Sequence, residues 1–466
     1  MGAVLCASCS QPGSVETVEV AKPNLVLIVA DTLRADRVHM QRNGKPLMPN
    51  LAKLASESLD YRNCRVQATW TKPSMATLFT SLYPEVHKVY YGIDGDLSED
   101  ALPETDVLPP SFETFAEFLK SQGYANAGIQ SNANIVSHFG FDQGFDSYEY
   151  LKYPKFHGNA VTDAALEELS KLPSPRFLYV HYMDAHAPYE TPADFVDADA
   201  NLPSISKEDR KLVENYSDCY RDRIMFEVGI TNQRKYGNLS KEGEEYLRAK
   251  YDSSVHYLDV QLGRLIDRVR ESDPNAIIVV TSDHGEELWE HGSIGHGKTV
   301  YEELTRVPLI VYVRGKSPRT VDAPVELVDI LPACAALLGL HPRPEWQGRD
   351  IATLSGALPV DRPSYSAAMM SIKGSNRDLD AIVLGEEKLI VDKIASNETF
   401  INLKNDPGER NGTILEPSHT AAAPLRKMLQ DFHSANASHP LRQESSTTSA
   451  LTPEQQENIR SIGYLK

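Results

Sequence analysis

Acidic residues and histidines follow three apolar stretches of the sequence, and these residue types can bind a cation or move a proton. The residues at these positions are Asp31, Asp184, His186, Asp283 and His284. Carboxylate oxygens and imidazole nitrogens are ligands for Ca²⁺, Mn²⁺ or Zn²⁺. Asp31, Asp283 and His284 together would make an open metal site with room for a substrate oxygen. For each acidic residue taken alone, the alternative is a cap on the following helix.

Thr71 lies directly before Lys72 and Pro73, in a segment that we expect to begin a helix. Because proline is favoured at the first helical position, the helix is expected to start at Pro73. Thr71 would then lie at the positive end of the helix, where unpaired N–H groups stabilise an alkoxide and bind anionic oxygens. The alternative is that Thr71 only caps the helix.

Continuous apolar stretches predict the strands that must position these residues, since a strand buried on both faces carries an unbroken apolar run. The stretches cover residues 23–31, 176–186, 276–287 and 306–315. Helical patterns between them, such as residues 251–272, predict an α/β fold with a large, mostly parallel sheet sandwiched by helices. Functional groups gather at the carboxyl ends of the strands in such sheets. The acidic residues and histidines are therefore expected at one edge of the sheet.

The pattern changes after about residue 345. Residues 380–393 read as two strands joined by Gly-Glu-Glu, which predicts a hairpin in a smaller antiparallel α+β subdomain. The predicted division of the chain is an N-terminal tether or truncated signal at 1–21, a catalytic α/β domain at 22–345, a C-terminal subdomain at 346–415, and a helix, polar linker and docking tail at 416–466.

Composition excludes several classes of protein. Lys and Arg number 47 against 65 Asp and Glu, and the net charge of −18 argues against a nucleic-acid-binding surface. Five cysteines in 466 residues exclude a disulfide scaffold. No run of about 18 apolar residues occurs, so the sequence predicts no transmembrane span.

The N-terminal residues Ala7, Ser8 and Cys9 resemble the lipid-attachment site of bacterial lipoproteins, and a polar stretch follows them. This resemblance predicts a lipid anchor at Cys9 and a location in the bacterial periplasm or cell envelope. The alternative is a disordered N-terminal tag.

Four long segments together resemble the sulfatase family of the alkaline phosphatase superfamily, in the same order and with approximately the same spacing. They read LVLIVADTLRAD, TKPSMATLFTSLYPEVH, VHYMDAHAPY and VVTSDHGEELWEHGSIGHGKTVYEELTRVPLIV. The resemblance covers about residues 22–415 and the tail. It implies an alkaline-phosphatase-like fold, a hydrolase that acts on ester bonds, and a small anionic ester as substrate.

The resemblance also implies roles for individual residues. Asp31, Asp283 and His284 match the metal ligands of the family, and Thr71 falls where sulfatases carry the cysteine that is oxidised to the formylglycine nucleophile. His186 matches a histidine that contacts the transferred group or the leaving oxygen, and Lys298 matches the lysine that binds the anionic ester. His296 matches a histidine of related phosphoethanolamine transferases. Asn132 lies in a segment that resembles a family loop near the cleft, where it would bind the substrate.

Two departures from the sulfatase pattern change the expected chemistry. Thr71 replaces the cysteine, so no formylglycine is expected, and Met75 replaces the arginine that supports the modified nucleophile. We therefore predict a metal-dependent hydrolase that uses Thr71 to form a covalent phospho-enzyme from phosphate mono- or diesters. The alternatives are a sulfuric ester hydrolase, an envelope phosphotransferase and a non-catalytic binding module. One divalent ion is expected, and a second at His186 and His296 is left open.

Overall fold

The computed structural model describes residues 22–90, 104–152, 157–222, 239–353, 358–372, 375–415, 419–454 and 456. The predicted N-terminal tether with Cys9 lies outside the described residues, as do residues 457–466 of the predicted docking tail. Among the described helices, none combines the length and the apolar composition that a membrane span requires.

The main sheet has nine strands and is mostly parallel. Its strands are Leu25–Ala30, Leu59–Arg65, Ala125–Gln130, Ser147–Tyr150, Arg176–Tyr182, Ile277–Thr281, Arg306–Tyr312, Arg319–Val321 and Val325–Glu326. The strand Leu25–Ala30 lies in the middle and pairs in parallel with Arg176–Tyr182 on one side and Ile277–Thr281 on the other. The carboxyl ends of these three strands therefore lie side by side.

Helices cover both faces of this sheet. The described helices are Ala35–Val38, Pro49–Ser56, Thr71–Thr80, Pro84–His87, Phe115–Ser121, Gly158–Lys171, Lys207–Asp222, Lys241–Ser272, Glu302–Thr305, Ile330–Leu337 and Ala423–Ala437. Alternate side chains of the central strand pack into different cores: Leu25, Leu27 and Val29 into one, and Val26, Ile28 and Ala30 into the other. The helix Thr71–Thr80 contributes to the first core, and Lys241–Ser272 contributes to the second. The predicted sandwich is thus confirmed.

A separate antiparallel sheet forms in the C-terminal region, as predicted. Its strands are Ser364–Ile372, Ser375–Leu384, Glu387–Asp392, Asn397–Asn402 and Thr413–Leu415. The hairpin expected at residues 380–393 is confirmed, because Leu384 pairs with Glu387 across its turn. The helix Ala423–Ala437 packs on this sheet through Leu425 and Leu429.

Three two-stranded pairings complete the architecture. They join Gln41–Arg42 to Lys45–Pro46, Glu287–Leu288 to Ile294–Gly295, and Glu104–Val107 to Thr447–Ala450. The last pairing orders part of the stretch that we expected to be a polar linker. The domain boundaries themselves stay predictions.

The start of the helix at Thr71 differs from the expectation. The helix begins at Thr71, two residues before Pro73, and the extended residue Trp70 is its N-cap. Pro73 is tolerated there because N–H groups in the first helical turn have no partner within the helix. Thr71 is therefore the first helical residue.

Candidate active site

Asp31, Asp283 and His284 form one compact group at the carboxyl ends of two adjacent parallel strands. Asp31 directly follows the central strand, and Asp283 and His284 follow Ile277–Thr281. One ligand atom from each residue lies within 4.8 Å of the others, and all three side chains are fully buried. Within the described ranges, this is the one group of three such side chains that could share a cation. The structure thus brings these three residues together, and their role as metal ligands stays a prediction.

Two carboxylate oxygens in this group have no hydrogen-bond partner among the described residues. They are Oδ1 of Asp31 and Oδ2 of Asp283, and both are buried. A buried, unpaired carboxylate oxygen is costly, because it has lost its water without gaining another partner. A divalent cation would supply that partner, and two carboxylates with one imidazole are a donor set that suits Ca²⁺, Mn²⁺ or Zn²⁺. The residues present therefore fit a metal ion.

The electrostatics of the group also favour a cation. Burial and the nearby charge of Asp31 raise the pKa of Asp283 to about 7. Burial opposes ionisation of Asp31 as well, but the hydrogen bond with His181 and the charge of His186 bring its pKa below its ordinary value. Since an opposite charge favours the ionised form of a carboxyl group, a bound cation would hold both carboxylates ionised.

His284 is prepared to act as a ligand through one particular nitrogen. Its Nδ1 donates to the carbonyl oxygen of Gly285 at 2.9 Å, which leaves Nε2 as the nitrogen with the lone pair. Burial lowers the pKa of His284, so the ring is neutral at neutral pH. Nε2 lies 3.4 Å from Oδ2 of Asp283 and 3.9 Å from Oδ1 of Asp31. The neutral ring thus points its ligand nitrogen at both carboxylates.

The Thr71 hydroxyl faces this group. Thr71 is fully buried, and its Oγ1 lies 3.4 Å from Nε2 of His284 and 3.5 Å from Oδ2 of Asp31. Ser74, one turn further along the same helix, donates its hydroxyl to the carbonyl oxygen of Asp283. This bond fixes the start of the helix against the strand-end loop. The hydroxyl is held beside the candidate ligands and at the positive end of a helix.

Asn132 lies on the other side of Thr71. Its Nδ2 donates to Oδ2 of Asp31 at 2.6 Å and lies 3.3 Å from Oγ1 of Thr71. Its Oδ1 accepts from the backbone N–H of Asn134 and so caps a short 3₁₀ helix. These bonds tie Asn132 to a candidate metal ligand and to the hydroxyl at once.

His186 and His296 border the group with defined ring orientations. Nδ1 of His186 donates to the carbonyl oxygen of Ala187 at 2.7 Å, and Nδ1 of His296 lies 2.7 Å from Oε2 of Glu286. The ring centroids of His186 and His296 are 5.1 Å apart, and those of His284 and His296 are 4.5 Å apart. Both rings therefore keep a proton on Nδ1.

Lys298 lies half-buried in the loop that follows the short strand Ile294–Gly295. Its ammonium donates to the carbonyl oxygen of Ile294 at 2.9 Å, and the backbone N–H of Gly297 donates to Thr69. Burial lowers the pKa of Lys298 to about 8. The Gly297 bond joins this loop to the segment that leads into Thr71.

Sequence reasoning missed His181, which is in direct contact with the candidate metal site. Nε2 of His181 lies 3.1 Å from Oδ2 of Asp31, and its Nδ1 lies 2.8 Å from the hydroxyl of Tyr179. The signal in the sequence is one polar residue in an otherwise apolar run, at the next-to-last position of the strand Arg176–Tyr182. Such a residue needs buried partners, and here a carboxylate supplies one.

Comparison with known proteins identifies the family. A sequence model described as Sulfatase matches residues 23–340. The chain is 24% identical over 436 residues to the uncharacterized sulfatase YidJ of Escherichia coli, covering 84% of this chain and 83% of that protein. It is 26% identical over 421 residues to human iduronate 2-sulfatase, covering 74% of each chain.

Solved structures show the same fold. The 2-O GAG sulfatase BT1596 superposes with a TM-score of 0.69 at 16% identity, covering 93% of this chain and 96% of that one. The phosphonate monoester hydrolase SpPMH from Silicibacter pomeroyi also gives a TM-score of 0.69, at 19% identity, covering 92% and 99%. The chain belongs to the sulfatase family and is a hydrolase that acts on sulfuric or phosphoric esters.

Proposed function

We propose that this sulfatase-family protein is a metal-dependent hydrolase of phosphate mono- or diesters with Thr71 as its nucleophile. One observation carries the proposal: a fully buried hydroxyl lies within 3.5 Å of Asp31 and His284, where two carboxylate oxygens have no partner among the described residues. A lone threonine hydroxyl is a weak nucleophile at neutral pH and needs activation by its surroundings. The proposed substrate is a small anionic ester.

Asp31, Asp283, His284 and Thr71 would hold the metal. A divalent cation bound there would favour the ionised form of the Thr71 hydroxyl and neutralise charge on the substrate oxygens. We propose one resident ion, because the described residues offer one group of three ligands. A second ion at His186 and His296 stays an open prediction.

Thr71 carries the covalent step in this proposal. Its Oγ1 attacks phosphorus in line with the leaving oxygen, so that a bond forms between Oγ1 and phosphorus as the bond to the leaving oxygen breaks. The helix that begins at Thr71 places its positive end beside the developing charge. Water then attacks the phosphothreonine and gives one proton to the histidine that protonated the leaving oxygen. The bond between phosphorus and Oγ1 breaks, and Thr71 returns to its ionised form.

The proton for the leaving oxygen comes from His186 or His296. Both rings have Nδ1 engaged with an acceptor, so Nε2 is the atom that would deliver the proton. An imidazole is suited to this step because it titrates near neutral pH. Lys298 would face the non-bridging oxygens, and Asn132 would steady Thr71 and Asp31 beside the substrate.

The preference for phosphate over sulfate rests on two residues. Formylglycine forms from a cysteine, and position 71 holds threonine. At the position of the supporting arginine, Met75 is fully buried in the apolar core. A directly acting threonine suits phosphoryl transfer. The second candidate is a sulfuric ester hydrolase, which the names of the relatives favour.

Turnover of a panel of aryl esters tests the proposal. The panel contains a phosphate monoester, a phosphate diester, a phosphonate and a sulfate, each assayed with Mn²⁺, Zn²⁺ or Ca²⁺. We expect a phosphate ester to be the best substrate. Thr71→Ala should lower kcat by about 10⁴-fold or more, as is usual when a nucleophile is removed. The matched variant Thr71→Ser should keep measurable turnover and trap a phosphoserine that mass spectrometry detects.

Three outcomes would contradict the proposal. Full activity of Thr71→Ala would rule out the nucleophile. Faster turnover of the sulfate than of every phosphate ester would favour the second candidate. Purified protein that binds no divalent ion and hydrolyses no ester would favour a non-catalytic binding module.

A further inference from the structure

The C-terminal sheet packs against the loop that carries Lys298. Val300, two residues after Lys298, is fully buried in a cluster with Leu379 and Ala381 of the strand Ser375–Leu384. Side chains two residues apart on a strand project from the same face. Arg377 therefore projects from the same face as Leu379, towards the loop of Lys298.

The charge of Arg377 reaches Lys298. The positive charge of Arg377 adds to burial in lowering the pKa of Lys298, while Glu287 and Glu286 oppose it. Two cations on different elements thus lie close enough to repel each other. An anionic group that lay between the two cations would offset this repulsion.

Among the residues that the structure describes, Arg377 has no carboxylate partner. Throughout the described ranges, no Asp or Glu forms an ion pair with it, and the adjacent Asp378 is engaged with Lys393 at 3.0 Å. Arg377 is exposed, so its planar guanidinium is accessible and can receive a carboxylate, phosphate or sulfate through two parallel hydrogen bonds. The net charge of the protein is −18, so an exposed arginine without a carboxylate partner in the described ranges is unusual here.

We propose that Arg377 binds a second anionic group of the substrate, so that the preferred substrates are esters whose organic part carries a further negative charge. This inference rests on the proposed function, because it takes Lys298 as the residue that faces the reacting ester. Arg377 would then act as a specificity-determining residue at the outer end of the substrate. It takes no part in breaking the ester bond.

A pair of substrates that differ in one charge tests this proposal. An aryl phosphate with a ring carboxylate is compared with the same ester bearing a neutral carboxamide. We expect the protein to favour the carboxylate ester by about tenfold in kcat/KM, the effect of one exposed charge-assisted contact. Arg377→Gln should bring that ratio to about one, mainly through KM, and change turnover of the carboxamide ester by less than about twofold.

Two control variants sharpen the result. Arg377→Lys should keep part of the preference, since it retains the charge but not the planar fork. Arg314→Gln should leave the ratio unchanged, because this exposed arginine contacts Asn275 at the amino end of the strand Ile277–Thr281, the end opposite Asp283. If the unmodified protein shows no preference, or if Arg377→Gln slows both esters equally, the proposal is wrong.

Binding measurements test the same role without relying on turnover. Calorimetry with phosphonoacetate and with neutral-ended phosphonoacetamide should show tighter binding of the first, and Arg377→Gln should remove the difference. Equal binding of both probes to the unmodified protein would overturn the role of Arg377. Activity that survives Thr71→Ala would overturn the nucleophile but leave this charge preference intact, so the two failures are distinguishable.

Discussion

Asp283 and Asp184 are both buried acidic residues that follow parallel strands of the same sheet, yet their surroundings differ. Asp283 lies beside Asp31 and His284, and the Thr71 hydroxyl contacts both of those residues. Asp184 accepts the backbone N–H of Gly158 at 2.8 Å, at the start of the helix Gly158–Lys171. Each carboxylate keeps one oxygen, Oδ2, without a partner among the described residues. The same signal in the sequence thus leads to a candidate metal site in one place and to a bond with the first backbone N–H of a helix in the other.

The difference lies in what surrounds the unpaired oxygen. Oδ2 of Asp283 points into a group that offers two more ligand atoms. Oδ2 of Asp184 is packed so closely against Gly158 that a Cβ on that glycine would come within 2.6 Å of it. Among the described residues, Asp184 belongs to no group of three side chains that could hold a metal ion. A buried acidic residue at a strand end indicates a metal site only when other ligands converge on it.

Replacing Asp283 is the strongest test of this contrast. Asp283→Asn removes a charged ligand, so we expect bound metal to be lost and kcat/KM to fall by about 10³-fold or more. Asp184→Asn should keep the metal and lower kcat/KM by less than about fivefold, because it keeps an oxygen acceptor for Gly158. Metal analysis and ester turnover of the two variants measure the difference. A large loss of metal from Asp184→Asn would break the contrast.

The pH dependence of stability should also distinguish Asp184 from Asp283, with a smaller expected effect. Burial raises the pKa of Asp184 to about 7. Its folded-state pKa is above the unfolded value, so its contribution is fully present below about pH 4 and is lost as the pH rises to about 7. An asparagine side chain cannot ionise, so the variant Asp184→Asn escapes this loss. From pH 4 to pH 8, the unfolding free energy of Asp184→Asn should rise by about 2–4 kcal/mol relative to that of the unmodified protein. Thermal unfolding at several pH values measures this, and parallel curves for the two proteins would show that Asp184 is not the titrating group.

Removing the metal with a chelator should distinguish Asp283 from Asp184 through a smaller change in stability. Removing a ligand present at 100 times its Kd costs about 2.7 kcal/mol of stability, provided that it binds only the folded state. We expect EDTA to lower the Tm of the unmodified protein and of Asp184→Asn by a similar few degrees, and added Mn²⁺, Zn²⁺ or Ca²⁺ to restore it. Asp283→Asn should not respond. An equal EDTA effect on all three proteins would place the ion elsewhere.

Much of the fold and most of the site could be predicted because the central strands are unbroken apolar runs. Parallel pairing then forces the residues after them, Asp31 and Asp283, to the same edge. What could not be predicted depends on contacts between distant segments. His181 lies inside such a run and looks like a core residue until Asp31 is known to face it. Likewise, the polar strand Thr447–Ala450 shows no apolar pattern and forms only because Glu104–Val107 offers a partner edge.

The hydrogen bond from Tyr179 to His181 is the contact for which we predict the smallest change in metal binding. Asp31 can only accept, so Nε2 of His181 carries a proton, and Nδ1 must then accept the hydroxyl of Tyr179 at 2.8 Å. This is the opposite proton arrangement from His284, whose Nδ1 donates to a carbonyl. Burial raises the pKa of Tyr179 well above its usual value, which keeps the donor proton in place.

Tyr179→Phe should therefore weaken metal binding without abolishing it. Losing one hydrogen bond of about 1 kcal/mol that orients a partner of a metal ligand should lower metal affinity by about three- to tenfold. At saturating metal, kcat should stay within about twofold, since no group that touches the substrate changes. Tyr182→Phe on the same strand is the matched control: its hydroxyl bonds to Thr162, on the side of Asp184. If both variants weaken metal binding equally, the effect is general packing of the strand, whereas a loss confined to Tyr179→Phe shows that the hydrogen-bond chain through His181 tunes Asp31.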